Sequence, residues 1–185
     1  MEKKENKEKI ENKENEKKEN KENKEKIEEK IEKKIEKIKQ IENEIREYGY
    51  HLLSRQDYCI NDLKEKLFKK FSEKNMYSSN EVNTSIIKII NEFIEKKYLN
   101  DEAYVKFYIL LHHYGRKKYE YIFSKKNIAS DIYIKILDEN IEKEINEIKD
   151  FLIKSKNNNR EKNIRVLISR GFQYEQIKKV MLELE

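Results

Sequence analysis

The chain has no proline and no tryptophan, only three glycines and a single cysteine. Without proline the commonest helix breaker is gone, and with Lys, Glu and Ile dominating, helix is the low-energy backbone. Glycines at 49, 115 and 171 cannot build a phosphate-cradling loop, which excludes nucleotide-binding motifs. One cysteine cannot close an internal disulfide, which fits a reducing cytosol. No window approaches the ~18 apolar residues that a membrane helix needs. The N-terminus, Met1-Glu2-Lys3-Lys4-Glu5-Asn6, offers no apolar core for a signal peptide. These absences imply a soluble, cytoplasmic protein.

What is present is charge. Of 185 residues 43% are charged, 42 basic against 37 acidic, for a net charge of +5. So small an excess permits non-specific nucleic-acid binding without demanding it. All 12 Tyr and 7 Phe lie at or after Tyr48. Residues 1–46 hold 16 basic and 15 acidic groups, nearly cancelling. Globular burial therefore begins near position 47.

Residues 1–26 carry Ile10 as their one apolar side chain after the initiator, too little to offset ordering entropy. This leader reads as disordered or as a fraying charged helix. From Ile27 a stripe follows through Ile31, Ile35, Ile38, Ile41 and Ile45 and on to Tyr48, Leu52 and Leu53. Its spacings of four and three draw one face of a helix that continues into the folded part. The stripe has two readings, a coiled-coil dimer through 27–53 or a helix leaning on its own domain. The shortness of the heptad pattern and the interruption at Lys34 favour the second, monomeric reading.

After a break at Arg55-Gln56-Asp57-Tyr58, the pattern predicts a helix over Ile60–Phe71 with Leu63, Leu67 and Phe68 inward. A polar loop, Ser72–Asn80, leads to a helix capped by Ser79 or Asn80 and ending near Tyr98. Asn100 or Asp101 caps the next, which Gly115 stops. Further helices are expected over Lys117–Lys126, Asp131–Asn140 (capped by Ser130), Ile141–Lys154, Arg160–Arg170 and Gln173–Leu184. Asn157–Asn159 forms a loop and Gly171 a stop. That makes nine helices from Tyr48, in three groups of three.

The grouping has a sequence echo. Leu63–Lys70, Tyr119–Lys126 and Ile164–Gly171 each place apolar residues three or four apart before a basic end, with Phe71, Ile128 or Phe172 nearby. A pattern recurring at about 50-residue intervals signals stacked repeats, each too poor in apolar surface to stand alone. The predicted architecture is all-α, three tandem three-helix repeats in an elongated array behind a long charged N-terminal helix or disordered leader. The divisions are 1–26 (leader), 27–47 (amphipathic extension), 48–99, 100–140 and 141–185.

Enzyme signatures are absent, and the reading is of a binding protein without metal or cofactor. His112 and His113 are adjacent, so on a helix they diverge by about 100° and cannot chelate one ion together. Cys59 sits at a helix start, where a thiol can be activated; a passive small residue at the cap is the simpler reading. Basic residues gather near the helix breaks: Arg55, then Arg116, Lys117, Lys118 and Lys125, then Arg160, Lys162, Arg165 and Arg170. Tyr58, Tyr114, Tyr119 and Tyr121 lie close to them. Taken singly each is a solvated side chain. As a set recurring across three units they are candidates for phosphate or acidic protein surface.

Several stretches carry a family resemblance. Leu52-Leu53-Ser54-Arg55-Gln56-Asp57-Tyr58, followed by Asp62-Leu63-Lys64-Glu65-Lys66-Leu67, resembles the first repeat of the RecX family of bacterial recombinase regulators. Lys97-Tyr98-Leu99-Asn100-Asp101-Glu102-Ala103-Tyr104 is similar to its Gly-Tyr-Leu-Asp-Asp junction, with Lys97 for Gly and Asn100 for an acid. Ser169-Arg170-Gly171-Phe172-Gln173-Tyr174 resembles its last repeat. Asn127 replaces another expected Gly, and the Pro often found after Gly115 is missing. The resemblance spans about residues 46–185. It implies an all-α fold of three tandem three-helix repeats in an elongated curved array that bind the RecA recombinase, chiefly as its filament on single-stranded DNA, and inhibit it, with the DNA backbone within reach. It implies roles in DNA repair, recombination and the SOS response. The competing readings are a helical DNA-binding array without a recombinase partner, and a coiled-coil interaction protein.

Overall fold

The structure, a computed structural model, describes residues 2–73, 77–155 and 159–184, with side chains from Lys24 onward. Parts of the expected loops Ser72–Asn80 and Asn157–Asn159, and the side chains of most of the leader, fall outside the described residues. Those described form nine helices and no strand: α1 Glu2–Leu53, α2 Ile60–Ser72, α3 Ser79–Glu95, α4 Asp101–Leu111, α5 Arg116–Lys125, α6 Ser130–Glu139, α7 Ile141–Lys154, α8 Arg160–Ser169 and α9 Tyr174–Glu183. Leader and extension are one unbroken helix, α1.

Buried side chains fall in three clusters. The first joins α1, α2 and α3 around Ile41, Ile45, Leu63, Leu67, Ile86 and Phe93. A second gathers α4, α5 and α6 around Val105, Tyr119, Phe123 and Ile136, and takes in Cys59 from the α1–α2 link. The third gathers α7, α8 and α9 around Ile148, Leu167, Phe172, Ile177 and Val180. The echoing segments lie on α2, α5 and α8, the middle helix of each cluster.

The apolar stripe of α1 divides. Ile41 and Ile45 are fully buried, while Ile27, Ile31 and Ile35 are exposed. The change comes where α3 begins. Running parallel to α1, α3 is tied to it by Arg46–Glu92 (3.1 Å), Lys88–Glu42 (2.7 Å) and, near its first turn, Lys34–Glu81 (3.9 Å).

Local signals set most helix ends. Ser78, one residue earlier than expected, caps α3 in a reciprocal box: the Glu81 amide donates to Ser78 Oγ (3.3 Å) and the Ser78 amide donates to Glu81 (3.0 Å). Asn100 caps α4, accepting from the Ala103 amide (3.1 Å). Ser130 does not cap α6; the cap position is Ala129, without a side-chain bond. Three helices end alike. Lys97, Asn127 and Gly171 take left-handed backbone (φ 61°, 54° and 92°), and the next residue's amide bonds back to the fifth residue before it. Those bonds are Tyr98 to Phe93 (2.8 Å), Ile128 to Phe123 (3.1 Å) and Phe172 to Leu167 (3.1 Å). This motif satisfies the last carbonyls and folds an apolar residue under the helix end. It stops α3 at Glu95 rather than near Tyr98. Lys97 shows that a non-glycine residue can hold the position, at about 1–2 kcal/mol.

Phe68, expected inward, is 40% exposed, whereas Phe71 is buried. On α2, which begins at Ile60, the Leu63–Leu67–Phe71 line faces the core and Phe68 sits off its edge. Truncating Phe93→Ala, in the first cluster, should cost about 3–5 kcal/mol in denaturant unfolding. Phe68→Ala should change it by less than ~1 kcal/mol.

Candidate partner-binding surface

The candidate surface is built where the clusters meet. At the second junction the N-terminus of α5 is completed by the third cluster. The Gly115 amide donates to the Arg170 carbonyl (3.0 Å) and the Lys117 amide to the Gly171 carbonyl (3.1 Å). The Arg116 amide donates to Glu144 Oε1 (2.9 Å), a carboxylate of α7. Thus amides that a helix start leaves without partners are satisfied across the junction. The approach demands glycine twice. A Cβ on Gly115 would lie 2.1 Å from the Phe172 amide nitrogen, and one on Gly171 would lie 2.5 Å from Lys118 Cβ. Gly115 is therefore not the stop of α4, which ends at Leu111; it is the cap residue of α5, with ordinary φ −79°.

This lock sets Lys117 and Lys118 beside Arg170. Lys118 Nζ stands 3.8 Å from the Tyr114 ring centroid, and the Arg170 guanidinium 4.9 Å from that of Phe151. An aromatic face holds a cation without neutralising it. Beside them His113 Nδ1 contacts Glu147 at 2.6 Å. A cleft of about 410 Å³ opens between His113, Glu147, Asp150, Phe151, Lys154 and Arg170.

Arg116 is used differently. Its guanidinium is half-buried, with Nε 2.8 Å from Glu120 and Nη1 2.6 Å from Asp138. Hydrogen bonds to Asp138 and Glu120 hold it still more firmly in its charged form. That charge ties α5 to α6 and has little left for a partner. Of the other candidates, Arg55 is exposed on the α1–α2 link and Lys125 is exposed with Nζ 5.8 Å from the Tyr121 ring. Arg160, Lys162 and Arg165 are exposed on α8, where Arg165 pairs with Glu161 at 3.3 Å. Among the described contacts, only those of Lys117, Lys118 and Arg170 bring predicted residues together.

The first junction repeats the device. Asp101, the first residue of α4, accepts the Ile60 amide at the start of α2 (2.8 Å). Burial raises its carboxyl above the usual range, against the pull of that bond. Lys126, at the end of α5, donates to Asp62 on α2, and its Nζ lies 5.6 Å from the Tyr104 ring. Burial works against the Lys126 charge, and its bonds to Asp62 and Tyr104 outweigh that, raising it overall. Sequence reasoning missed Lys126, Asp62 and Asp101. Cys59 is fully buried here, and burial pushes its thiol up to about 11. A reactive thiolate is the opposite of what this site makes.

Another surface lay outside the sequence-based candidates. On α4, Phe107 (46%), Leu110 (66%) and Leu111 (58%) are exposed. A cleft of about 430 Å³ separates Phe107, Leu111, Tyr104 and Tyr108 from Gln56 and Asp57 of the α1–α2 link. Contiguous exposed apolar groups of this kind mark protein-binding surface. No described helix is long and apolar enough to cross a membrane.

No family model matches the sequence, and no curated protein matches it. Solved structures do. The chain is similar to the crystal structure of RecX from Lactobacillus salivarius, at 21% identity and a TM-score of 0.62, over 78% of this chain and 97% of that one. It is likewise similar to a crystal structure of regulatory protein RecX, at 15% identity and a TM-score of 0.61, over 78% and 73%. The fold is RecX-like. The resemblance read from motif order and the fold thus agree. In this RecX-like fold the glycine lock lies between the second and third clusters.

Gly115→Ala should lower stability by more than ~2 kcal/mol in denaturant unfolding, because backbone, not a movable side chain, stands in the way. Cys59 should resist thiol reagents near neutral pH until the chain unfolds. Since its folded pKa of about 11 exceeds the ordinary 9.0, its contribution to stability is present below pH 9.0 and lost as pH rises through 11. Unfolding midpoints of the chain and of Cys59→Ser across that range would check it.

Proposed function

We propose that this protein binds a RecA-type recombinase filament on single-stranded DNA and restrains it, acting as a regulator and not as an enzyme. The observation that carries the reading is the RecX-like fold, which matches nearly the whole of one RecX chain. In this reading the three helical clusters are three tandem units that form a bowed rod along the filament. The apolar face of α4, with Phe107, Leu110 and Leu111, is the protein contact. Lys117, Lys118 and Arg170 are the cations that reach phosphate, two of them presented on aromatic rings. Arg55, Lys125, Arg160, Lys162 and Arg165 extend that basic surface. Several weak contacts on one repeating fibre add by avidity. The direction is inhibition because a body lying along the filament favours the state it grips and slows the cycle through others. Its place of action is the cytoplasm.

Adding the protein to a recombinase–single-stranded DNA filament should lower ATP turnover and strand exchange. No change at saturating protein would remove the reading. Lys118→Gln with Arg170→Gln should weaken filament binding by roughly tenfold and flatten its dependence on salt, since every phosphate no longer neutralised takes about 0.7 from the logarithmic slope on a single strand. Leu110→Ser, at a 66% exposed position, should weaken binding with the salt dependence unchanged, since no charge is altered. Tight duplex binding in the absence of recombinase would favour the DNA-array reading instead.

A further inference from the structure

The exposed part of the α1 stripe is a separate matter from filament binding. Ile27, Ile31 and Ile35 are 57%, 52% and 47% exposed, on the same stripe that buries Ile41 and Ile45. The protein's own α3 meets this helix at Lys34, and Tyr77 before it shares a cleft with Lys30 and Lys33, while Ile27 and Ile31 stay exposed among the described residues. A lone helix projecting into water is marginal. Its internal ion pairs, such as Lys33–Glu29 at 2.6 Å, add only ~0.2–0.5 kcal/mol each. This segment is built for a companion helix.

The charges say which companion. At about 100° per residue, Glu25, Glu28, Glu29, Glu32 and Glu36 all fall on one side of the line through Ile31. Lys26, Lys30, Lys33, Lys34 and Lys37 all fall on the other, and Lys24, about 20° from that line on the acidic side, is paired with Glu28 at 3.9 Å. The apolar stripe thus has one acidic flank and one basic flank. Two such helices related by a two-fold axis along their length set the acidic flank of each against the basic flank of the other. Turned antiparallel, they set acid against acid and base against base. Most of these charges are therefore complementary within one sequence, in one orientation, Lys24 and the Glu81-paired Lys34 being the exceptions. α3 already runs parallel to α1 on the continuation of the stripe, so the same seam accepts a parallel neighbour within the chain.

We propose that residues 24–35 pair with the same segment of a second copy as a parallel, in-register two-helix coil. The two copies part at Lys34, where each α3 takes over its own seam. Such an interface is isologous, each patch meeting its own counterpart. Lys34, on the basic flank and 3.9 Å from Glu81 of its own chain, marks the end of the pairing.

Sedimentation equilibrium of the full chain should give twice the 22.7 kDa chain mass. Ile31→Lys should raise the dimer dissociation constant by roughly a hundredfold or more, since both copies lose a buried isoleucine. The unfolding midpoint of the body should stay as it was, because the position is exposed, while far-UV circular dichroism should fall slightly as the released stem frays. Glu28→Lys with Glu32→Lys should yield monomers, as should Lys30→Glu with Lys34→Glu. Mixing these two variants should restore dimers. Ile27→Cys should form a disulfide-linked dimer with itself under mild oxidation, the native Cys59 being buried. A monomer at every concentration, a trimer, or a link formed only between Ile27→Cys and Ile35→Cys chains would each overturn the proposal. Recombinase binding by a monomeric Ile31→Lys variant would leave the functional reading intact.

Discussion

The middle helix of one cluster is capped by the cluster that follows. Asp101 of α4 accepts the first amide of α2, and Glu144 of α7 accepts the first amide of α5. α8, in the third cluster, is capped by its own Asn159, which accepts the Lys162 amide at 3.0 Å. A buried amide without a partner costs about 1–3 kcal/mol, so each of the first two middle helices is incomplete by itself. The constraint makes stacking a matter of hydrogen-bond geometry as well as apolar area, which suits units with cores of few residues. At the second junction two backbone bonds join in, and the closeness they require admits only glycine at 115 and 171.

What could be read from the residue order follows from how local each signal is. The periodicity around Leu63, Phe93, Ile148 and Ile177, and the caps near Ser78 and Asn100, depend on neighbours within a turn or two, and helix count and class followed from them. Gly115 looked like a stop because a glycine after a helix usually is one. Its reason lies in Phe172, distant in sequence and 2.1 Å from where its Cβ would be. The distant partners of Asp101, Asp62 and Glu144 were not legible, since nothing in a carboxylate's neighbours tells which amide or ammonium it will meet. The partners of Arg116 were hidden for the same reason. Its basic surroundings suggested an outward role, and Asp138 and Glu120 on its flanks decide otherwise.

In a chain so rich in charge, the number of cations is a poor measure of electrostatic reach. Arg116 and Lys126 are held by carboxylates and present little field outward. Lys118 and Arg170 lie against Tyr114 and Phe151, rings that hold a cation by their quadrupole and leave its charge for another group. The distinction turns on the neighbour and not on the residue type. It also bears on how a protein with a net charge of only +5 can offer a local basic spot: the acids of the adjoining cleft, Glu147 and Asp150, are met by His113 and Lys154 and not by Arg170.

The stripe of α1 ties these themes together. It is one continuous apolar line, yet its two halves face different environments because α3 starts opposite Lys34. In the half that α3 covers, burial of Ile41 and Ile45 anchors the helix to the first cluster. Flanks of opposite sign border the other half, whose isoleucines stay exposed among the described residues. A parallel pairing there would carry two bodies side by side from a common stem. On a fibre whose subunits repeat at a fixed spacing, the second body would then meet its site at an effective concentration set by the stem and not by the solution. An array of small, weakly cohesive units gains more from such a tether than a single tight pocket would, because each of its contacts is individually weak.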